Sequence, residues 1–154
     1  MRLPARSLTL SLVFTFLLLG AAFAARADEH GRRCSLRRVA GTFGYITNGT
    51  RLGIGPVAAA GELTFDEDGN VVDGKQTVSF NGIIATETYS GTWTVGDDCR
   101  GSFTVNVTSS VPAFNRTSTV DIVWEDDANA AHAIFTGANT IITADARRIH
   151  SHGE

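Results

Sequence analysis

From residue 41 onward, polar and apolar positions alternate with a period of two almost everywhere. In 83–95, Ile83, Ala85, Glu87, Tyr89, Gly91, Trp93 and Val95 share one face, while Thr86, Thr88, Ser90, Thr92 and Thr94 share the other. Phe103, Val105 and Val107 oppose Ser102, Thr104, Asn106 and Thr108 in the same way, and Val120, Ile122 and Trp124 repeat the pattern. Runs rich in Thr, Val, Ile and aromatics, broken by Gly, Asp and Asn, are strands joined by hairpins. Eight are expected, over 41–48, 56–66, 70–81, 84–95, 101–109, 117–125, 131–137 and 140–148. The turns are explicit: "DEDGN", Asn81-Gly82, "GDDCRG", "EDDANA" and Gly137 to Asn139, all residue types that tolerate positive φ. No stretch after the leader has an amphipathic helical period of useful length.

Short antiparallel strands with one apolar face must stack or close on themselves. Most connections here are hairpin-length, which favours an all-β, antiparallel, up-and-down eight-stranded barrel. A Greek key needs a long return, for which only 49–56 and 109–116 offer room, so a β-sandwich is the second choice. In the segment from Val57 to Phe65 small residues come first and bulky ones last. This predicts a tapered barrel, closed at the Phe65 end, with at most a modest pocket near Ala59 and Gly61.

The N-terminus changes the setting. Arg2 and Arg6 precede the apolar run "LTLSLVFTFLLLGAAFA", and Ala25-Arg26-Ala27 or Ala22-Phe23-Ala24 supplies a small-residue cleavage site. Residues 1–27 therefore read as a signal peptide, too short in its apolar core to anchor as a span of about 20 residues. A secreted or periplasmic location follows. The organisation is then 1–27 leader, 28–40 N-terminal segment, 41–148 barrel and 149–154 flexible tail. The formal charge of the whole chain is -3, and losing Arg2, Arg6 and Arg26 makes the remainder more acidic. This net acidity disfavours nucleic acid or an anionic membrane as the main partner, and no stable membrane insertion is expected after cleavage. Cys34 and Cys99 are the only cysteines, and export favours a disulfide between them that pins "RRCSLRR" to the hairpin at 96–101.

The segments "GTFGYITNGT", "PVAAAGELTFDEDGNVV" and "SGTWTVGDDCRGSFTV", in this order, resemble a group of small exported bacterial proteins of unassigned activity. Their pattern is G-T-[FY]-G-[FY], A-A-x-G-x-L-T-F-D-x-x-G-N and G-T-[WY]-T-V-x-x-D-C-x-G after an earlier cysteine. The likeness spans about residues 34–148 and implies a fold but no active site. The architecture is more distantly similar to calycin and allene oxide cyclase-like barrels, which hold or isomerise small apolar molecules; none of the cyclase motifs is present.

Candidate chemistry is sparse. Glu87 shares its face with Tyr89 and Trp93, where an enclosed carboxylate is a candidate general acid or base; otherwise it reaches solvent or pairs with Arg147 or Arg148. His132 alternates with Ile134 and is either a proton shuttle facing Glu87 or Gln76, or a solvated surface residue. Phe43, Tyr45, Phe65, Phe80, Tyr89, Trp93, Phe103 and Trp124 are expected to line or plug the interior. Arg32, Arg33, Arg37 and Arg38 are expected to lie across the turn holding Asp97 and Asp98. "DEDGN" fails the EF-hand spacing in both registers, and His150 with His152 alone makes a weak chelate, so no metal is expected. Neither a P-loop, a dinucleotide fingerprint nor a G-x-S-x-G elbow occurs, so no cofactor is expected either. The expected function is binding of a small apolar molecule. The alternatives are a cofactor-free isomerase using Glu87 with Tyr89 or His132, and a solid structural or interaction module of the envelope.

Overall fold

The structure, a computed structural model, describes residues 34–151; the leader, residues 28–33 and residues 152–154 lie outside the described part. A single helical turn, α1 (Leu36–Val39), precedes eight strands: β1 (Gly41–Arg51), β2 (Gly55–Phe65), β3 (Asn70–Phe80), β4 (Ile83–Val95), β5 (Arg100–Ser109), β6 (Arg116–Glu125), β7 (Ala130–Phe135) and β8 (Thr140–Ser151). Each pairs antiparallel with the next, and β8 returns to β1, so the sheet closes in the order β1 to β8. Closure leaves no edge strand. It also replaces the sandwich alternative: the longest connection, 110–115, holds only a 3-10 turn at Pro112–Phe114 and never crosses the sheet.

Strand limits depart from the sequence reading mainly at the seam. β1 continues to Arg51 and β8 to Ser151, and Thr42 pairs with His150 past an irregularity in the register. Residues 149–151, expected as tail, are therefore strand, because β1 supplies them with a hydrogen-bonding partner. The hairpins behave as their residues dictate. Asn81 and Gly82 both take positive φ, 48° and 89°, the requirement of a two-residue hairpin that matches strand twist. At 66–70 the Asp66 carboxylate accepts from the Asp68 and Asn70 amides at 3.0 and 2.6 Å and from Asn70 Nδ2 at 2.9 Å. That carboxylate closes the turn.

The interior divides into two ends. At one, Phe65 is the hub of an aromatic cluster, with ring centroids 5.7 Å from Phe43, 4.9 Å from Trp93, 5.7 Å from Phe103 and 5.8 Å from Trp124. Residues 34–40 close this end as a plug. Cys34 is disulfide-bonded to Cys99, Val39 is fully buried, and Ser35 caps α1 by accepting from the Arg38 amide. Arg148 fastens the plug. Its guanidinium lies 4.8 Å from the Phe43 ring centroid and donates to the carbonyls of Ala40, Val39 and Ala128 at 2.6, 3.0 and 2.9 Å. The other end, where the hairpins 52–54, 81–82, 110–115 and 136–139 gather, is lined by Val57, Val78, Phe80 and Ile142, with the Phe114 ring tilted against Phe80 at 4.6 Å between centroids. It is the mouth.

Candidate functional site

Between plug and mouth lies a band of polar side chains. Tyr45 pairs across the sheet with Gly61, Gly61 with Gln76, and Gln76 with Glu87, so four neighbouring strands put these residues on one level. Gly61 is required there. A Cβ at this position would stand 2.6 Å from Gln76 Cβ and 2.7 Å from Tyr45 Oη, so only glycine lets the Tyr45 side chain cross β2 and reach Gln76. Gly74 does the same for Tyr89, whose ring occupies the place of its missing Cβ. Of the pocket expected near Ala59 and Gly61, the Tyr45 hydroxyl fills the space at Gly61, while Ala59 lines a cavity at the mouth.

The contacts form a chain. Arg116 grips Glu87 with two bonds, Nη1 to Oε1 at 2.7 Å and Nη2 to Oε2 at 2.8 Å. Gln76 Nε2 donates to the same carboxylate at 2.6 Å. Tyr45 Oη donates to Gln76 Oε1 at 2.7 Å and lies 2.6 Å from Tyr89 Oη, which is 3.0 Å from the Glu62 carbonyl. Counting protons fixes the polarity next to Glu87. The carboxylate accepts only, so the Gln76 amide must turn its NH₂ to Glu87 and its oxygen to Tyr45. Tyr45 then has no second proton, and the single Tyr89 proton is shared between Tyr45 Oη and the Glu62 carbonyl.

Glu87 is completely buried at its side chain and Arg116 is only 16 % exposed. An ion pair so enclosed holds only with strong geometry and further donors, which Gln76 on Glu87 and the Phe114 carbonyl on Arg116, at 2.9 Å, supply. Burial first of all, then for Tyr89 its neighbour Tyr45, pushes both phenols well above their ordinary range. For Tyr45 the hydrogen bond from Tyr89 acts in the opposite direction without prevailing. Both tyrosines are therefore neutral, and both Glu87 oxygens accept hydrogen bonds.

Two cavities flank this band. A void of about 50 Å³ lies on the plug side, walled by Phe65, Phe103, Val105, Tyr89 and their neighbours. A larger one of about 220 Å³ occupies the mouth, with Val57, Ala59, Val78, Phe80, Phe135 and Ile142 as apolar wall and Arg51 and Thr140 near the rim. Thr47, Gln76, Arg116 and Ser118 border both. Among the described residues, the Thr47 and Ser118 hydroxyls and Arg116 Nε have no hydrogen-bond partner, although Thr47 is only 4 % exposed. These are unused polar groups facing a space large enough for a ligand.

The sequence candidates separate accordingly. Tyr45, Tyr89, Phe65 and Phe103 border the small void and Phe80 the mouth, whereas Trp93 and Trp124 line neither cavity and belong to the packed aromatic end. Glu87 is inward, as alternation indicates, but its partner is Arg116 and not Arg147 or Arg148. His132 is not inside the barrel. It is 61 % exposed on the outer wall, with Nδ1 2.6 Å from Asp145 and Nε2 3.6 Å from Glu125. The inward positions of β7 are Ala131, Ala133 and Phe135, because Ala131 sits opposite Trp124 and only a small side chain fits beside it. Arg37 and Arg38 reach Glu67 at 4.0 Å and Asp127 at 3.1 Å rather than Asp97 and Asp98. Arg116 and Ser118 were missed by the sequence reading. Extending the alternation of Trp124, Ile122 and Val120 by two steps along β6 reaches both.

No protein-family model, no curated protein and no solved structure matches this chain, so its function has to be argued from the geometry alone.

Proposed function

We propose that the protein is an exported binding barrel that holds a small, largely apolar molecule in its mouth, with one polar end of that molecule directed at the inner band. The carrying observation is the cavity of about 220 Å³ whose wall is divided evenly, with Val57, Val78, Phe80 and Ile142 as its apolar part and Thr47, Gln76, Arg116 and Ser118 among its polar part. An apolar cavity of about 150 Å³ suffices for a benzene-sized guest, and drug-sized sites begin near 300 Å³. The guest is accordingly a single ring or a short chain, oriented by an acceptor that takes the free Arg116 and hydroxyl donors. Export is supported by the leader-like N-terminus and by the Cys34–Cys99 disulfide, which persists in oxidising compartments. Among the described residues no helix is long and apolar enough to cross a membrane.

Binding is favoured over isomerisation because the interior acid is already committed. A general base has to reach its substrate, and the Glu87 side chain is fully buried, lines neither cavity and holds three hydrogen bonds from Arg116 and Gln76. The test is calorimetric titration with a panel of short-chain and single-ring alcohols, phenols and carboxylates, on the wild type and on Ala59→Phe, which fills the mouth. At least one compound is expected to bind the wild type and to lose affinity by more than tenfold in Ala59→Phe. Equal binding to both proteins, or conversion of a compound by the wild type, would overturn the reading.

A further inference from the structure

The two ends of the barrel differ in surface as sharply as in interior. The plug-end turns carry Asp66, Glu67, Asp68, Asp97, Asp98, Asp126 and Asp127. The mouth-end connections 52–54, 81–82, 110–115 and 136–139 contain no charged residue at all. In place of charges the mouth end shows large aliphatics. Leu52, Ile83, Ile84 and Ile141 are each more than half exposed. They lie on neighbouring segments of the rim. The Leu52 amide donates to the Asn139 carbonyl at 2.8 Å, and the Asn81 amide to the Pro56 carbonyl at 2.7 Å, so 139–141, 52–56 and 81–84 form one arc around the rim. Hairpin tips are normally polar, and single exposed aliphatics need no explanation, but a contiguous set marks an interaction site. Arg51 stands at the same rim, lining the mouth, with no ion pair among the described residues.

We propose that this arc docks the open end of the barrel on an anionic lipid surface, mouth toward the bilayer. Aliphatic side chains without acids among them, accompanied by an unpaired arginine, match an interface of acyl chains beneath negative headgroups. The acid-bearing plug end faces away. A second copy of the chain fits less well: a two-fold contact through the same patch would bring Arg51 toward Arg51 with no acid in the arc to offset it, and the closed barrel has no free edge for strand pairing. This is peripheral docking through side chains at hairpin tips, and it stands independently of whether the mouth holds a ligand.

The experiment uses the full chain with an environment-sensitive fluorophore at Ala138→Cys on the mouth end or at Asp68→Cys on the plug end. Vesicles of phosphatidylcholine alone, or mixed equally with phosphatidylglycerol, are titrated in. The Ala138 probe is expected to brighten and shift to the blue with the anionic vesicles, while the Asp68 probe stays unchanged. Adding Leu52→Asp and Ile84→Asp is expected to raise the lipid concentration needed by roughly tenfold or more, and Arg51→Gln to remove most of the preference for phosphatidylglycerol. Equal responses at the two ends, no response at Ala138, or a response indifferent to the aspartates would overturn the proposal. So would a concentration-dependent change of the Ala138 probe without vesicles, which would assign the arc to self-association.

Discussion

The plug end and the mouth end are built from the same eight strands, yet one is filled and the other is furnished. At the plug end Phe65 touches four rings, the disulfide and Arg148 fasten a short N-terminal segment, and the turns are acidic. At the mouth end the rings give way to an ordered polar band, an open cavity and uncharged turns. A barrel of eight strands is about the size that side chains alone can fill, so leaving space at one end demands compensation at the other. Aromatic packing and the covalent tie provide it. The barrel thus separates the part that stabilises from the part available to a ligand.

The largest expected effect strikes the filled end. Phe65→Ala removes the hub of the cluster and should cost about 5 kcal/mol, the upper part of the range for a buried aromatic, read as the loss of denaturant midpoint. Replacing Cys34 and Cys99 by alanine releases a loop of 65 residues and should cost about 4 kcal/mol, with binding at the mouth retained once the variant is folded. The polar band should behave differently because its members depend on one another. Arg116→Met strands a buried carboxylate and should cost about 3 kcal/mol, whereas combining it with Glu87→Leu should restore most of the loss. A double-mutant cycle that comes out additive would dissolve the distinction between the two ends.

Alkaline titration sharpens the comparison further. Tyr45 and Tyr89 are the only tyrosines in the chain, and both phenols are raised in the fold. The folded state therefore holds two protons that the unfolded chain releases near pH 10. Their contribution is fully present below that pH and is lost as pH rises toward the folded values. Tyrosinate absorbance should appear together with loss of the β-sheet circular dichroism signal, in one transition. Absorbance rising while the sheet persists would mean that the band is open to water. The smallest effect belongs to Asp66. Slight burial works to raise its carboxyl, but bonds from Asn70, Asp68 and Gly69 outweigh it and lower it. Its contribution is present above the ordinary aspartate range and fades as pH falls below it; Asp66→Ala should cost no more than about 1 kcal/mol, seen as a small shift in acid unfolding.

Much of the fold was legible because a barrel wall needs strict alternation. The periodicity of 83–95 and 102–108 assigns the inner and outer faces correctly, and the sizes along Val57 to Phe65 point to the closed end. Glu87 was placed inward by the same rule. Its partner was not, since Arg116 lies two strands away on β6, beyond β5, and reaches Glu87 only through its long side chain. His132 misleads for a physical reason: Ile134, which shares its face, is an exposed aliphatic, and the buried face of β7 is the small one opposite Trp124. The space taken by Tyr45 and Tyr89 was likewise hidden, because Gly61 and Gly74 read as small residues and not as clearances for side chains from other strands.

Nuclear magnetic resonance mapping of a bound panel compound is the measurement that bears most directly on the division between the two ends. The account predicts that the largest shift changes fall on Arg51, Val57, Ala59, Phe80 and Thr140, while the indole N–H signals of Trp93 and Trp124 stay in place. Dominant changes at the two indoles, with the mouth residues unmoved, would put the ligand in the end described here as filled and would contradict it.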